Sequence, residues 1–184
     1  MNDFSKSLKK LIPVLENYQI EYMIFGGMAL ASYGCPRQTF DIDIKMILPA
    51  GQKGYQNLIE IFRTVSTILP EAPEEFLEKT NVLPVEIENV RFDLVVAELP
   101  FEKEAVRKSK RAIIAGVEVN VCTPEDFIIQ KAISSREKDW MDIRMVVEQQ
   151  LEKLDWSYVM KHCRDLSEFM NDSDIMNKLN KFKK

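Results

Sequence analysis

The chain has 184 residues, of which 46% are hydrophobic and 29% charged, and this composition indicates one globular core. The net charge of −4 argues against a general nucleic-acid binder, which would normally be basic. No apolar stretch approaches the roughly 20 residues of a transmembrane helix, and the N-terminus lacks the layout of a signal peptide. We therefore expect no membrane partner. The three cysteines are odd in number and scattered, which indicates neither a disulfide framework nor a zinc site and favours a cytoplasmic protein.

The first part of the chain alternates between helical and strand patterns. Apolar residues at three- and four-residue spacing predict long helices over residues 3–17 and 55–69, and shorter helices are predicted over 28–33, 74–79 and 101–110. Strands are predicted over 22–25, 40–47, 82–87, 90–97, 112–114 and 117–121. The helix predicted over 101–110 carries a basic cluster that extends to Arg111, which we interpret as either a solvated helix face or a patch that contacts RNA.

From Thr123 onward the pattern is helical. Thr123-Pro124 reads as an N-cap followed by proline at the first helical position, and helices are predicted to about residue 135, over 138–153, from Asp155 to about 166, and over 173–182. This shift predicts an α+β fold, in which a mixed sheet flanked by helices (1–122) is followed by a C-terminal helical bundle (123–184) packed on it.

The single histidine, His162, limits the chemistry that the chain can perform. A Ser-His-Asp or Cys-His mechanism would have to use this one residue, and a histidine-rich metal site is impossible. We interpret His162 as a structural or surface residue. Any catalysis is therefore expected to depend on carboxylates and on a metal with oxygen ligands.

Two glycines and two aspartates form the most informative pattern. A short apolar strand ends at Gly26-Gly27, where the absence of side chains lets the backbone approach a ligand, and a helix beginning there offers N–H groups to an anion. Asp41 and Asp43 lie on the next predicted strand, and alternation places both side chains on one face. A phosphate cradle beside paired carboxylates indicates a site for a metal-bound nucleoside triphosphate.

The same alternation predicts the other residues of this strand. Phe40, Ile42 and Ile44 are expected to point into the core. Lys45 shares the face of the aspartates, and two interpretations stay open: it tempers their repulsion, or it is a solvated lysine at the strand end. Asp93 interrupts another apolar strand, where a charge without a partner is unfavourable, and this makes it a third candidate.

The order of these residues resembles the minimal nucleotidyltransferase superfamily, which includes the DNA polymerase β-like fold. The matching positions are Gly26, Gly27, Arg37, Thr39, Asp41, Asp43 and Asp93. A later stretch is similar to AbiEii-type toxins and related small bacterial nucleotidyltransferases, in Pro124 to Lys131 followed by Arg136, Lys138, Asp139 and Asp142. The resemblance covers about residues 10 to 150.

The resemblance implies transfer of a nucleoside monophosphate from a triphosphate (NTP) to a hydroxyl acceptor, with release of pyrophosphate. Two Mg²⁺ ions would stabilise the entering and leaving oxygens. Asp41 and Asp43 would bridge both ions, and Asp93 would complete one of them and take the proton of the acceptor. Gly26 and Gly27 would hold the β- and γ-phosphates through backbone N–H groups. Many members have serine at the position of Gly27, and because this chain lacks that hydroxyl, the backbone alone would bind the phosphate there.

The remaining candidates have both functional and structural interpretations. Arg37 and Thr39 are expected to shape the loop in front of the aspartates, and Arg37 can also reach a phosphate. Lys131 lies on or beside the apolar side of its helix, where it either neutralises triphosphate charge or extends its amine into water. Asp139 and Asp142 share a helix face and either orient Lys131 or an acceptor, or form surface pairs.

The acceptor and the partners stay open at the level of the sequence. The acceptor is either a macromolecule (RNA or a protein side chain), as a toxin with an antitoxin partner would use, or a small hydroxylated molecule such as an antibiotic. The acidic chain favours a small cationic acceptor, whereas the AbiEii-like stretch favours a toxin. A binding module that keeps the fold without turnover is the third alternative.

Overall fold

The protein is described here by a computed structural model that covers residues 3–48, 54–150 and 153–182. These residues form two compact units. The first contains the described residues up to Ser32 and those from Arg37 to Cys122, and the second contains Tyr33–Pro36 and the described residues from Thr123 onward. Within the described ranges, no helix combines the length and the apolar character needed to cross a membrane.

The first unit is a mixed sheet with helices, as the sequence predicts. Its elements are α1 (Asp3–Asn17), β1 (Glu21–Phe25), α2 (Gly26–Ser32), β2 (Asp41–Ile47), α3 (Gly54–Arg63), β3 (Thr67–Ile68), α4 (Pro73–Thr80), β4 (Val82–Ile87), β5 (Val90–Val96), α5 (Pro100–Lys108), β6 (Lys110–Ile114) and β7 (Val117–Val121). The strand order across the described sheet is β3-β4-β5-β2-β1-β7-β6. The pairs β2–β5 and β1–β7 are parallel, and the other pairs are antiparallel.

The core of this unit lies on the apolar faces of the central strands. Ile42 and Ile44 on β2 and Phe92 and Leu94 on β5 are fully buried. Helix α1 contacts β1, β4, β5 and β7, and its Leu8, Leu11 and Leu15 are fully buried. The central strands β2 and β5 are thereby fixed side by side, which determines the positions of the aspartates that they carry.

The two hairpins of the sheet turn through residues with positive φ. Glu88 and Asn89 join β4 to β5 with φ of 52° and 62°, and Ala115 and Gly116 join β6 to β7 with φ of 49° and 76°. Paired positive φ values match the right-handed twist of the flanking strands. Both predicted hairpins are therefore confirmed.

The second unit is helical. It contains α6 (Pro124–Ala132), α7 (Glu137–Gln150), α8 (Trp156–Met170) and α9 (Asp174–Leu179), and α6 contacts both α7 and α8. The predicted N-caps are confirmed, because the Thr123 hydroxyl accepts a hydrogen bond from the Asp126 N–H (3.1 Å) and the Asp155 carboxylate accepts one from the Tyr158 N–H (3.0 Å). Each cap satisfies an N–H group that the helix itself leaves unpaired.

Two expectations about local structure are wrong. Phe40 is 78% exposed rather than buried, because β2 begins only at Asp41 and the alternation does not extend to the bend before it. The helix predicted over 55–69 ends at Arg63, where the hydroxyls of Thr64 and Ser66 donate to the carbonyls of Ile61 and Phe62. Thr67 and Ile68 then pair with β4 as an edge strand.

Helix α5 is also shorter than predicted. It ends at Lys108, and Lys110 and Arg111 belong to β6. The basic residues from Lys103 to Arg111 are thus divided between a helix and a strand, so they do not form one helix face. This division weakens the interpretation of the cluster as a single RNA-contacting patch.

Candidate active site

The three candidate aspartates lie on one face of the sheet. Asp41 and Asp43 are two residues apart on β2, and Asp43 is the direct partner of Asp93 across the parallel β2–β5 ladder. Residues directly opposite each other on neighbouring strands have their side chains on the same face, with Cβ atoms about 5 Å apart. We call Asp41, Asp43 and Asp93 the carboxylate row; all three are partly exposed.

Gly26 is in contact with this row. Phe25, the last residue of β1, pairs with Asp43, so the turn into α2 passes directly over that carboxylate. Gly26 has φ of +63°, and a Cβ atom built on it would lie 1.9 Å from Oδ2 of Asp43. Only glycine satisfies both the backbone angle and the close approach. The structure therefore brings the predicted glycine turn and the aspartates together.

Gly27 faces the loop that precedes β2. A Cβ atom at Gly27 would lie 2.8 Å from Oγ1 of Thr39 and 3.2 Å from a guanidinium nitrogen of Arg37. The Thr39 hydroxyl also lies 2.8 Å from Oδ1 of Asp41, to which it donates a hydrogen bond. Thr39 and Arg37 thus occupy the space beside Gly27 that a side chain at that position would take.

Arg91 lies on the same sheet face as the carboxylate row and is not among the residues predicted from the sequence. It is the direct partner of Asp41 across the β2–β5 ladder, and its Nε and Nη2 atoms both lie 3.0 Å from Oδ1 of Asp93. The signal was available, because Arg91 and Asp93 are two residues apart on a predicted strand and must share a face. The spacing gives the face but not the ion pair.

Lys45 is not a solvated lysine at the end of the strand. It is 6% exposed, and its ammonium pairs with Oε1 of Glu102 in the first turn of α5. Oε2 of Glu102 accepts hydrogen bonds from the N–H groups of Glu98 (3.0 Å) and Leu99 (3.1 Å). Lys45 therefore holds the start of α5 against the sheet, on the same face as Asp43.

Lys131 belongs to a buried ion network within the second unit. Its ammonium pairs with Oδ1 of Asp139 and lies 3.5 Å from Oδ2 of Asp142. The other oxygen of Asp139 accepts hydrogen bonds from the hydroxyl of Ser134 (2.6 Å) and from Nε of Arg136 (2.7 Å). Asp139 and Asp142 are each 1% exposed, so their predicted surface position is wrong, although Asp139 does pair with Arg136.

The electrostatics of this network favour ionised Asp139. Burial alone would raise the pKa of the Asp139 carboxyl, but hydrogen bonds from Lys131, Ser134 and Arg136 more than offset it and hold that pKa below its ordinary value. The Lys131 ammonium is thus already neutralised within its own unit. The contacts support the interpretation in which the two aspartates orient Lys131.

The donor set of the carboxylate row suits a hard cation, because every candidate ligand atom is a carboxylate oxygen. Within residues 3–48, 54–150 and 153–182, however, no three acidic, histidine or cysteine side chains converge as a ready-made metal site. In the carboxylate row, the Arg91 guanidinium contacts one of the three carboxylates, that of Asp93. His162 lies outside the row and packs on the ring of Tyr158 (4.4 Å between centroids).

Solved nucleotidyltransferases share this fold. The solution structure of the antibiotic-resistance factor ANT(2″)-Ia is 16% identical, with a TM-score of 0.59 over 96% of this chain and 98% of that chain. A crystal structure of ANT(2″)-Ia in complex with adenylyl-2″-tobramycin gives 15% identity and a TM-score of 0.59 over 91% and 99%. The crystal structure of an antigenic nucleotidyltransferase-like protein from Paracoccidioides brasiliensis is 17% identical, with a TM-score of 0.53 over 97% of this chain and 91% of that chain.

A comparison with curated proteins finds no significant match. At the level of families, residues 4–181 match DUF2204, described as a nucleotidyl transferase of unknown function. The match spans both units and includes the glycine turn and the carboxylate row. The chain therefore belongs to this family of nucleotidyl transferases.

Proposed function

We propose that the chain transfers a nucleoside monophosphate from an NTP to a hydroxyl acceptor and releases pyrophosphate, with Mg²⁺ as cofactor. The observation that carries the proposal is the placement of Asp43 between Gly26 and Asp93 on one sheet face. A phosphate that approaches the glycine turn would then lie beside the carboxylates that hold the metal.

Asp41, Asp43 and Asp93 are the residues proposed to hold Mg²⁺. When bound, two such ions supply charge stabilisation for the attacking and leaving oxygens. The backbone N–H groups of Gly26 and Gly27 would bind the β- and γ-phosphates, and Arg37, beside Gly27, would bind the outer phosphate oxygens.

The acceptor hydroxyl needs a base and a fixed orientation. Asp93 is the proposed base, since it lies at the side of the row away from Gly26 and its carboxylate is 23% exposed. Thr39 would orient Asp41 through the hydrogen bond that it donates. Lys131 is proposed to act through Asp139 and Asp142 as a structural cross-link between α6 and α7 rather than as a phosphate ligand.

Two acceptor classes follow from this proposal. The net charge of −4 and the fold shared with ANT(2″)-Ia, which has been solved with adenylyl-2″-tobramycin, support a small cationic hydroxylated acceptor. The similarity of residues 124–142 to AbiEii-type proteins supports a macromolecular acceptor, RNA or protein, and an antitoxin partner. We favour the small acceptor, because the antitoxin has no support beyond that similarity.

The test is to incubate the full chain with each α-³²P-labelled NTP, Mg²⁺ and a total cell lysate, and to separate RNA, protein and small molecules. Asp43→Asn keeps the shape of the side chain and removes its charge, so we expect labelling to fall by about 100-fold or more. Asp165→Asn, at an exposed position on α8, is the matched control and should label as the wild type does. Equal labelling by Asp43→Asn and the wild type would contradict the proposal.

A further inference from the structure

Arg91 is placed among acidic side chains on three neighbouring strands. Across the ladders of β5 it is the direct partner of Asp41 on β2 and of Glu86 on β4, and the next pair along is Asp43 with Asp93. Both guanidinium contacts go to the same oxygen, Oδ1 of Asp93. The arginine is therefore bound to the carboxylate that the proposed chemistry needs.

The ion pair has little to do with holding the fold together. The Arg91 side chain is 53% exposed, and pairs of this kind contribute little to folding because water screens them. Strand β5 is already fixed by Phe92 and Leu94, which are fully buried on its other face. A charged contact that adds little stability and occupies a candidate ligand atom calls for a functional explanation.

We propose that Arg91 is a positioning residue that couples binding of the divalent cation to binding of the triphosphate. It holds Asp93 when no triphosphate is bound and releases it when phosphate oxygens accept the guanidinium instead. This inference rests on the proposed function and adds that the two ligands bind cooperatively. The cation binds weakly by itself and tightly together with the nucleotide.

The physical basis is competition for one oxygen. A divalent cation at Asp93 would share its carboxylate with the guanidinium that already contacts Oδ1, and two positive groups at one carboxylate repel each other. A triphosphate removes this conflict, because its oxygens offer the arginine a bidentate partner of higher charge. The release of Asp93 would then let the carboxylate row converge on the cation.

The experiment measures Mn²⁺ binding by electron paramagnetic resonance, with and without a non-hydrolysable triphosphate, on the full chain. For Arg91→Gln we expect Mn²⁺ alone to bind about three- to tenfold tighter than to the wild type, since one opposing charge is removed. Addition of the triphosphate should then strengthen Mn²⁺ binding less than it does in the wild type. Arg91→Lys keeps the positive charge but loses the two-pronged guanidinium, so its affinity for Mn²⁺ alone should lie between those of the wild type and Arg91→Gln.

Arg111→Gln is the matched control. Arg111 has a similar exposure (56%) and pairs with one acid, Glu118, on the β6–β7 hairpin, so its loss should leave Mn²⁺ binding unchanged. Unchanged or weaker binding of Mn²⁺ alone to folded Arg91→Gln would overturn the inference. If that variant does not fold, Arg91→Lys decides in the same way, because tighter binding supports the role and equal or weaker binding refutes it.

The same data separate this inference from the proposed function. If the wild type binds Mn²⁺ with the triphosphate and Asp43→Asn does not, the proposed site stands whatever Arg91 does. If the wild type and Asp43→Asn bind Mn²⁺ equally poorly with the triphosphate, the proposed function itself fails.

Discussion

Replacing Gly26 by alanine is the most direct test of the contact between the glycine turn and the carboxylate row. The new Cβ atom would lie 1.9 Å from Oδ2 and 2.7 Å from Cγ of Asp43, which is far inside any ordinary contact. The neighbouring atoms belong to the middle of the row, so the substitution must displace either Asp43 or the turn itself. Either movement separates the proposed phosphate site from the metal ligands.

The expected magnitudes follow from the geometry. An alanine forced into a left-handed conformation costs about 1–2 kcal/mol, and overpacking adds about 1–3 kcal/mol. Because an ordinary contact begins near 3.4 Å, the carboxylate must move by roughly 1.5 Å. A misplacement of about 1 Å in a catalytic group can lower the rate about 100-fold. We therefore expect Gly26→Ala to lose about 2–5 kcal/mol of stability and at least 100-fold in nucleotidyl transfer.

The assay combines urea unfolding, pyrophosphate release and Mn²⁺ binding in the presence of a triphosphate. Gly116→Ala is the matched control, because Gly116 has a similar φ of +76° but has no atom within 4 Å of the built Cβ. It should lose only the conformational contribution and keep its transfer rate. If Gly26→Ala and Gly116→Ala are equally stable and equally active, the close contact with Asp43 has no functional meaning.

Two further predictions concern the buried network of the second unit. Asp139 has a lowered pKa in the folded state, so its contribution to stability is complete above the pKa of the unfolded chain (about 3.9) and is lost as the pH falls through the lower folded value. The difference in unfolding free energy between the wild type and Asp139→Asn should therefore shrink on acidification below about pH 4, and urea unfolding across a pH series would contradict this if the difference stays constant. Lys131→Met leaves Asp139 and Asp142 without their shared cation, and we expect it to lose about 3 kcal/mol of stability in urea unfolding at neutral pH. A variant that keeps its stability and loses only nucleotidyl transfer would show instead that Lys131 acts on the substrate.

The sequence could predict which face each aspartate occupies, but not which residues meet across strands. Asp41 and Asp43 share a face because strand side chains alternate, and that inference needs only local spacing. The pairing of Asp43 with Asp93 depends on a parallel ladder between strands that are far apart in the chain. Alternation also misled at Phe40, because nothing local indicated that β2 begins one residue later.

The buried network of the second unit likewise could not be predicted from local spacing alone. The spacing of Asp139 and Asp142 placed them on one helix face, yet their burial and their partner Lys131 depend on how α7 packs against α6. A lysine on an apolar helix side is equally compatible with a substrate ligand, a solvated amine or a buried ion pair. Only the positions of the partner carboxylates distinguish these roles.

Arg91 affects the charge of the carboxylate row even though its side chain is 53% exposed. Lys45 lies two residues beyond Asp43 on the same face, but its charge is already matched by Glu102, so it does little to offset the repulsion within the row. Arg91 is bound to Asp93 and lies opposite Asp41, where it does offset that repulsion. Transferring this arginine to a phosphate would raise the negative charge of the row at the moment when a divalent cation needs it. The metal affinity of the site is therefore expected to depend on the nucleotide, which a fixed set of three carboxylates would not require.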